Sequence, residues 1–297
     1  MTQRLDVEFQ SGGITCRAWL YLPASDTPRP VVVMAHGLGG TKVMRLDAFA
    51  ERFSAAGYAC LVFDYRHFGD SDGQPRQLLD VSKQLEDWKA AVVYARACPQ
   101  VDGRRVTLWG TSFGGGHVLS TAAAVPGITA VISQCPFTNG LASGLALNPV
   151  SSLKVTARAL RDQVGSWLGQ APVMVSTAGQ PGEAALMTAP DVIPGYLGLL
   201  SAQDAAVFRN EVAARFGLQI IRYFPGLKTP KIACPVLFCV CDTDSVAPAK
   251  PTLFHARRAP KGEIKRYPDG HFDIYVGEAF ERVVKDQIAF LQRHVPV

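Results

Sequence analysis

The sequence predicts an α/β protein built on a doubly wound, mainly parallel sheet that is interrupted once by a helical insertion. Three observations predict it. Apolar runs of strand length alternate with stretches whose apolar residues recur at helical spacing, the rhythm of repeated strand-helix-strand units. Several runs are apolar throughout, which suits strands buried on both faces of a parallel sheet. From about residue 139 to 229 the rhythm breaks, and it resumes at Val236. A chain of 297 residues is long enough for one large domain with such an insertion.

Leu5 to Phe9 and Thr15 to Leu22 flank Ser11-Gly12-Gly13 and read as an opening β-hairpin. A turn-rich connection from Pro23 to Pro30 leads into the strand Val31 to Ala35, which ends in His36-Gly37-Leu38-Gly39-Gly40. Leu46, Phe49, Ala50, Phe53 and Ala56 mark a helix stopped by Gly57, and Tyr58 to Phe63 forms the next strand. After the polar loop Asp64 to Gly73, Leu85, Trp88, Ala91, Val92 and Ala95 mark an amphipathic helix. A strand from Val106, a small-residue helix from Phe113 to Ala124 and a strand from Ile128 to Gln134 follow. The stretch 139–229 has helical pieces at Ser151 to Leu168 and Gln203 to Phe216 and no convincing run of core strands. It reads as a helical cap or lid on a core formed by residues 1–138 and 230–297. The core closes with a strand over Val236 to Cys241, a helix over Pro251 to Ala259, a strand over Glu263 to Tyr267 and a helix over Phe280 to His294. In such sheets ligands bind beyond the carboxyl ends of the strands.

A chain that is 48% hydrophobic and 19% charged is an ordinary globular protein, so disorder is excluded. The formal charge of +5 is spread over 30 basic and 25 acidic residues, with no aromatic-interleaved basic tract for nucleic acid. The densest basic cluster, Arg257, Arg258, Lys261, Lys265 and Arg266, reads as a solvated helix end and strand edge. The seven cysteines are an odd number set mostly in apolar runs, as buried thiols of a reducing compartment would be. Cys239 and Cys241 share one face of a strand without the neighbours that a zinc site needs. The beginning of the chain has no apolar signal core, and no run approaches the roughly 20 apolar residues that span a bilayer. A cytoplasmic protein without stable membrane insertion is expected, and a homodimer is compatible with the sequence.

The chemistry gathers at Gly110-Thr111-Ser112-Phe113-Gly114, where a strand enters a sharp turn and a helix leaves it. A nucleophile elbow holds serine at a strained backbone position and needs small neighbours to let strand and helix approach. Gly-x-Ser-x-Gly also arises by chance, and Ser112 as a simple helix cap is the plain alternative. A serine hydroxyl needs a base to take its proton and an acid to orient that base. Downstream, one strand runs into Asp242-Thr243-Asp244-Ser245-Val246-Ala247-Pro248, and another into Asp269-Gly270-His271-Phe272. Both candidates therefore lie at carboxyl ends of strands, in the chain order Ser, Asp, His.

With these motifs in register, the chain resembles the α/β-hydrolase superfamily, particularly its serine aminopeptidase-like and dienelactone hydrolase-like esterase branches. The resemblance spans His36-Gly37, the Asp64-Tyr65-Arg66 loop, the elbow, the acid loop and Gly270-His271-Phe272, and it does not extend to the insertion. It implies that Ser112 is the nucleophile, His271 the base and then acid, and Asp244 the orienting carboxylate. It implies an oxyanion hole from the backbone N–H groups of Leu38 and Phe113. It prefers Asp244 to Asp242 because the acid stands four residues before the loop proline, Pro248. Cys241 stands where many relatives carry glycine. Asp269 reads as a turn residue, His36 as a loop organiser, His67 as a loop-surface group and His117 as a helix residue. Lys42 reads as a solvated lysine, with contact to a substrate carboxylate as the alternative.

The reading that results is an esterase acting on a small-molecule acyl substrate through an acyl-serine, with no metal or organic cofactor needed. A thioester, a lactone or an N-terminal peptide bond would use the same residues. An aminopeptidase would need carboxylates to hold the substrate ammonium. Asp162, Glu183, Asp191, Asp204 and Glu211 are too few and too dispersed for that. A non-catalytic small-molecule binder is the rival from another class, and it has no use for all three of Ser112, Asp244 and His271.

Overall fold

The computed structural model describes residues 2–297; Met1, with which the expected core begins, lies outside the described residues. The opening hairpin is β1 (Gln3–Ser11) and β2 (Ile14–Leu22), paired antiparallel. There follow β3 (Arg29–Ala35), α1 (Leu46–Ala55), β4 (Ala59–Phe63), α2 (Val81–Ala97), β5 (Val101–Thr111), α3 (Phe113–Ala124) and β6 (Ile128–Gln134). The stretch 139–229 holds α4 (Gly140–Ala146), α5 (Pro149–Trp167), β7 (Met174–Ala178), β8 (Ala185–Met187) and α6 (Val192–Leu197). It continues with α7 (Ala202–Ala205), β9 (Glu211–Ala213) and α8 (Phe216–Ile220). The chain ends with β10 (Val236–Cys241), α9 (Ala249–Ala256), β11 (Gly262–Tyr267) and α10 (Gly277–His294).

The main sheet runs β1-β2-β4-β3-β5-β6-β10-β11, parallel from β4 to β11 and antiparallel across β1, β2 and β4. Its all-apolar strands take the central places: every residue of β4 and of β10 is buried, as is Pro30 to Ala35 of β3. Register decides where chemistry can occur. Ala35 pairs with Phe63 and Gly110, Thr111 with Gln134, Gln134 with Cys239, and Cys241 with Tyr267. The carboxyl ends of β3, β4, β5, β6, β10 and β11 therefore open on one edge of the sheet, and the loops after them meet there.

The insertion differs from expectation in detail. Instead of one helix over Gln203 to Phe216 there are the short α7, the strand β9 and the start of α8. Val212 pairs with Val175 in a second sheet ordered β8-β7-β9, and the Ala213 N–H donates to the Gln77 carbonyl at 2.9 Å. This pairing overrides a local helical preference, and strands of three to five residues are too short to display a period of two.

Lys42 is not solvated but held in a buried ion pair. It is 2% exposed, with Nζ 2.7 Å from Asp64 Oδ2, bonded to Asp70, and 4.8 Å from the Trp19 ring centroid. Its backbone N–H donates to Asp64 Oδ1 at 2.7 Å, which ties the loop after β3 to the loop after β4. Desolvation opposes its charge, but Asp64 and Asp70 outweigh that and raise its pKa. Removing one partner of a buried pair strands the other charge, so Lys42→Ala is expected to cost about 3–5 kcal/mol. Urea unfolding checks this, and an unchanged midpoint contradicts it. His67 is likewise buried, not a surface group, and takes φ 72° in the loop after β4. His117 is a buried residue of α3 as expected, bonded through Nδ1 to the Tyr223 hydroxyl and through Nε2 to Gln84 Oε1.

Candidate active site

Ser112 stands between the last residue of β5 and the first of α3 with φ 56° and ψ −119°, a backbone conformation that side chains rarely adopt. Its surroundings hold it there. The Ser112 N–H donates to the Gln134 carbonyl at 2.9 Å, and the Ser112 carbonyl accepts from the N–H groups of Phe137 and Gly116. The flanking glycines are required by close approach: a Cβ at Gly110 would lie 2.2 Å from the Gly114 carbonyl oxygen. One at Gly114 would lie 2.5 Å from that of His36. Sequence and strain agree here, because α3 crosses the end of the sheet at a distance that only glycine allows.

The loop after β10 carries Asp244. Its Oδ1 accepts the N–H groups of Val246 and Ala247 at 2.9 and 2.6 Å, and its Oδ2 lies 2.7 Å from His271 Nδ1. His271, in the loop after β11, places Nε2 2.9 Å from Ser112 Oγ. The imidazole and carboxylate are 2% and 1% exposed, so water does not compete for these bonds. The structure thus joins three positions 159 and 27 residues apart into one hydrogen-bonded chain. The other acids are engaged elsewhere, Asp242 with Arg266 at 2.8 Å and Asp269 with Arg282 at 2.8 Å. His36 is buried, bonded through Nδ1 to the Gly37 carbonyl at 2.9 Å, as a loop organiser would be.

Electrostatics separates the histidines. Burial lowers His36 to about 4 and His117 to about 3, which keeps both neutral. For His271 desolvation acts in the same sense, but the Asp244 carboxylate outweighs it and raises the pKa well above 6.5. Among the described histidines with a displaced pKa, His271 is the one raised.

Ser112 borders an apolar cavity of about 300 Å³. Leu38, Phe113 and Phe137 line it from the core, and Leu141, Val155 and Met187 from the insertion, with no charged side chain among its lining residues. A second cavity of about 30 Å³ touches Ser112 and His271 from another side. The insertion also braces the site: the Tyr196 hydroxyl of α6 donates to the Leu38 carbonyl at 2.9 Å, and Ser245 Oγ donates to Asp191 at 2.8 Å. Behind Ser112, Thr111 Oγ1 bonds the Tyr275 hydroxyl, and the Cys135 thiol lies 3.7 Å from that hydroxyl. Sequence reasoning missed Tyr196 and Tyr275 and read Cys135 only as one of the buried thiols, because no motif places these residues beside Ser112.

An elbow serine on a mainly parallel sheet, hydrogen-bonded to a histidine and through it to an aspartate from later strand ends, is the arrangement of the α/β-hydrolase fold. The chain belongs to the family described as serine aminopeptidase S33, which matches residues 26–279. It is 62% identical to the quorum-quenching protein AidA of Acinetobacter baumannii strain MDR-ZJ06, over 99% of this chain and 96% of that one. It is 27% identical to a thiohydrolase of Eupenicillium brefeldianum, over 98% and 95%. In structure it is similar to the α/β hydrolase GrgF from Penicillium sp. sh18, with a TM-score of 0.82 at 24% identity over 99% and 100% of the two chains.

Proposed function

We propose that this protein is a serine hydrolase that cleaves carboxylic esters through an acyl-serine intermediate, with the insertion 139–229 serving as a cap that shapes the acyl pocket. The observation that carries the proposal is the hydrogen-bonded chain Asp244, His271 and Ser112 at the wall of an apolar cavity. His271 Nε2 takes the Ser112 proton as Oγ attacks the ester carbonyl. The negative charge that develops on the carbonyl oxygen is held by the N–H groups of Leu38 and Phe113. Both residues border the cavity beside Ser112, and Phe113 opens α3, where the first N–H groups have no partner within the helix. The imidazolium gives its proton to the departing alcohol, leaving the acyl group on Oγ. Water, deprotonated by the same imidazole, then attacks the acyl carbonyl and releases the carboxylic acid. The smaller cavity, on the order of one water in volume, touches both groups that this second step needs.

The absence of charged groups among the lining residues supports an apolar acyl chain and disfavours a peptide with a free ammonium. A lactone is a cyclic ester and opens by the same steps, so the resemblance to a quorum-quenching protein fits this reading. A thioester is the second reading, favoured by the resemblance to thiohydrolases. A panel of p-nitrophenyl esters of graded chain length, acyl-N-acetylcysteamine thioesters and aminoacyl-nitroanilides tests the assignment. Ester turnover is expected, and turnover of the anilides alone contradicts it.

The protonation state of the base sets a pH dependence. His271 must be neutral to accept a proton, and its pKa is raised, so kcat/KM is expected to fall as pH drops through a value above 6.5. A profile that stays flat down to about pH 5 contradicts His271 as the base.

A further inference from the structure

Helix α5 carries two apolar faces, and the fold uses only one. Val155, Ala159 and Asp162 are buried against the rest of the chain. On the opposite side Val150, Leu153, Ala157, Leu160, Val164 and Trp167 recur three and four residues apart and are all exposed, Leu153 at 72% and Trp167 at 74%. The stripe continues into Leu168 at the helix end. An unpartnered apolar stripe of this length on a surface helix calls for an occupant.

Charge selects which one. Lys154 and Arg161 flank the stripe and Arg158 lies beyond them, all three exposed. Lys154 and Arg158 reach only backbone carbonyls, those of Gly182 and Met174, so their charge is not cancelled. Over residues 139–183 the acidic residues are Asp162, which is 1% exposed and paired with Arg215 at 2.8 Å, and Glu183, which accepts the Gln180 N–H and forms no salt bridge with Lys154. The spacing would also suit pairing with a second copy. Antiparallel copies, however, would set Lys154 and Arg161 against each other, and parallel copies would set Lys154 against Pro149 and Arg161 against Thr156, with no carboxylate in either arrangement. An anionic surface meets both the apolar stripe and its basic flank. No helix among the described residues is long and apolar enough to cross a membrane, and a helix with an apolar stripe and a basic flank suits a position in the plane of a lipid surface.

We propose that the exposed face of α4 and α5 docks on an anionic lipid surface, with Leu153, Leu160, Val164 and Trp167 among the upper acyl chains and Lys154 and Arg161 against the headgroups. The cavity beside Ser112 opens toward the same face. Leu141 and Leu145, which line it, are 56% and 79% exposed, and Ser152 and Thr156 line it from the stripe's other flank. A substrate dissolved in the lipid would thus meet the cavity without crossing water. Lipid docking is measured without turnover, so it stands or falls separately from ester hydrolysis.

Trp167 is the one exposed tryptophan among the described residues, which makes it a native reporter. Full-length protein is mixed with vesicles of phosphatidylglycerol or of phosphatidylcholine. The expected result is co-sedimentation with the phosphatidylglycerol vesicles and a blue shift of the tryptophan emission, with at least tenfold weaker binding to phosphatidylcholine or at high salt. Lys154→Gln and Arg161→Gln are each expected to weaken binding about fivefold. Leu160→Asp with Val164→Asp is expected to abolish it while thermal melting stays as in the wild type. Neither of those two residues lines the cavity. Folded protein that ignores phosphatidylglycerol vesicles overturns the proposal. So does a dimer in sedimentation velocity that Leu160→Asp dissociates, which would assign the face to a second copy.

Discussion

Replacing Ser112 with alanine is expected to lower kcat by about 10⁴- to 10⁶-fold on the best ester while leaving the protein folded. The size of the loss follows from the role. Without Oγ there is no atom to receive the acyl group, and only substrate binding and the proposed oxyanion donors, the N–H groups of Leu38 and Phe113, remain to favour attack by water. The fold should survive because the strain at Ser112 lies in the backbone, at φ 56°, and alanine takes that conformation with the same backbone hydrogen bonds, its N–H donating to the Gln134 carbonyl and its carbonyl accepting from Phe137 and Gly116. A stability change within about 1 kcal/mol is expected, since only a hydroxyl is lost. Circular dichroism melting and steady-state kinetics measured on the same sample check both halves. Residual activity within tenfold of wild type contradicts Ser112 as the nucleophile.

Asp244→Asn is expected to lower kcat by about 10⁴-fold, and Asp242→Asn by less than about threefold. The two carboxylates are two residues apart in sequence, but their surroundings differ. Asp244 is 1% exposed, and its two oxygens are divided between the N–H groups of Val246 and Ala247 and His271 Nδ1. An asparagine that keeps the backbone bonds turns its NH₂ toward His271 and forces the proton onto Nε2, the atom that must accept from Ser112. Asp242 is 31% exposed and holds Arg266, an ion pair of the kind that contributes little. Kinetics on both variants decide between them. The reverse ranking shows that the orienting carboxylate is Asp242.

The features that were legible in the sequence are those whose cause is local or repeats along the chain. The helix over Phe113 to Ala124 and the strand over Ile128 to Gln134 occur as expected, because short glycine-bounded segments with one clear periodicity leave little choice. The elbow was legible because strain at one serine demands glycines two positions away on either side. The placement of Ser112, Asp244 and His271 at the carboxyl ends of successive strands was legible because β5 from Val106 and β10 are apolar runs, and β11 is bounded by Gly262 and by the Pro268-Asp269-Gly270 turn. Features set by distant partners were not legible. Lys42 reads as a surface lysine until Asp64, 22 residues away, is brought beneath it by the pairing of β3 with β4. The helix expected over Gln203 to Phe216 gives way because Val212 finds Val175, a contact that no local window contains. Tyr196 touches the Leu38 carbonyl only because the insertion folds back 158 residues onto the loop after β3.

The most direct test of the account is to trap the intermediate. The folded protein is treated with a fluorophosphonate and, separately, with a p-nitrophenyl ester quenched in acid within one turnover, and intact mass and peptide mapping locate the adduct. The account predicts one adduct per chain on the peptide containing Ser112, absent from the Ser112→Ala variant and much reduced at a pH where His271 is protonated. An adduct on another residue, or none on folded protein that turns over the ester, contradicts it.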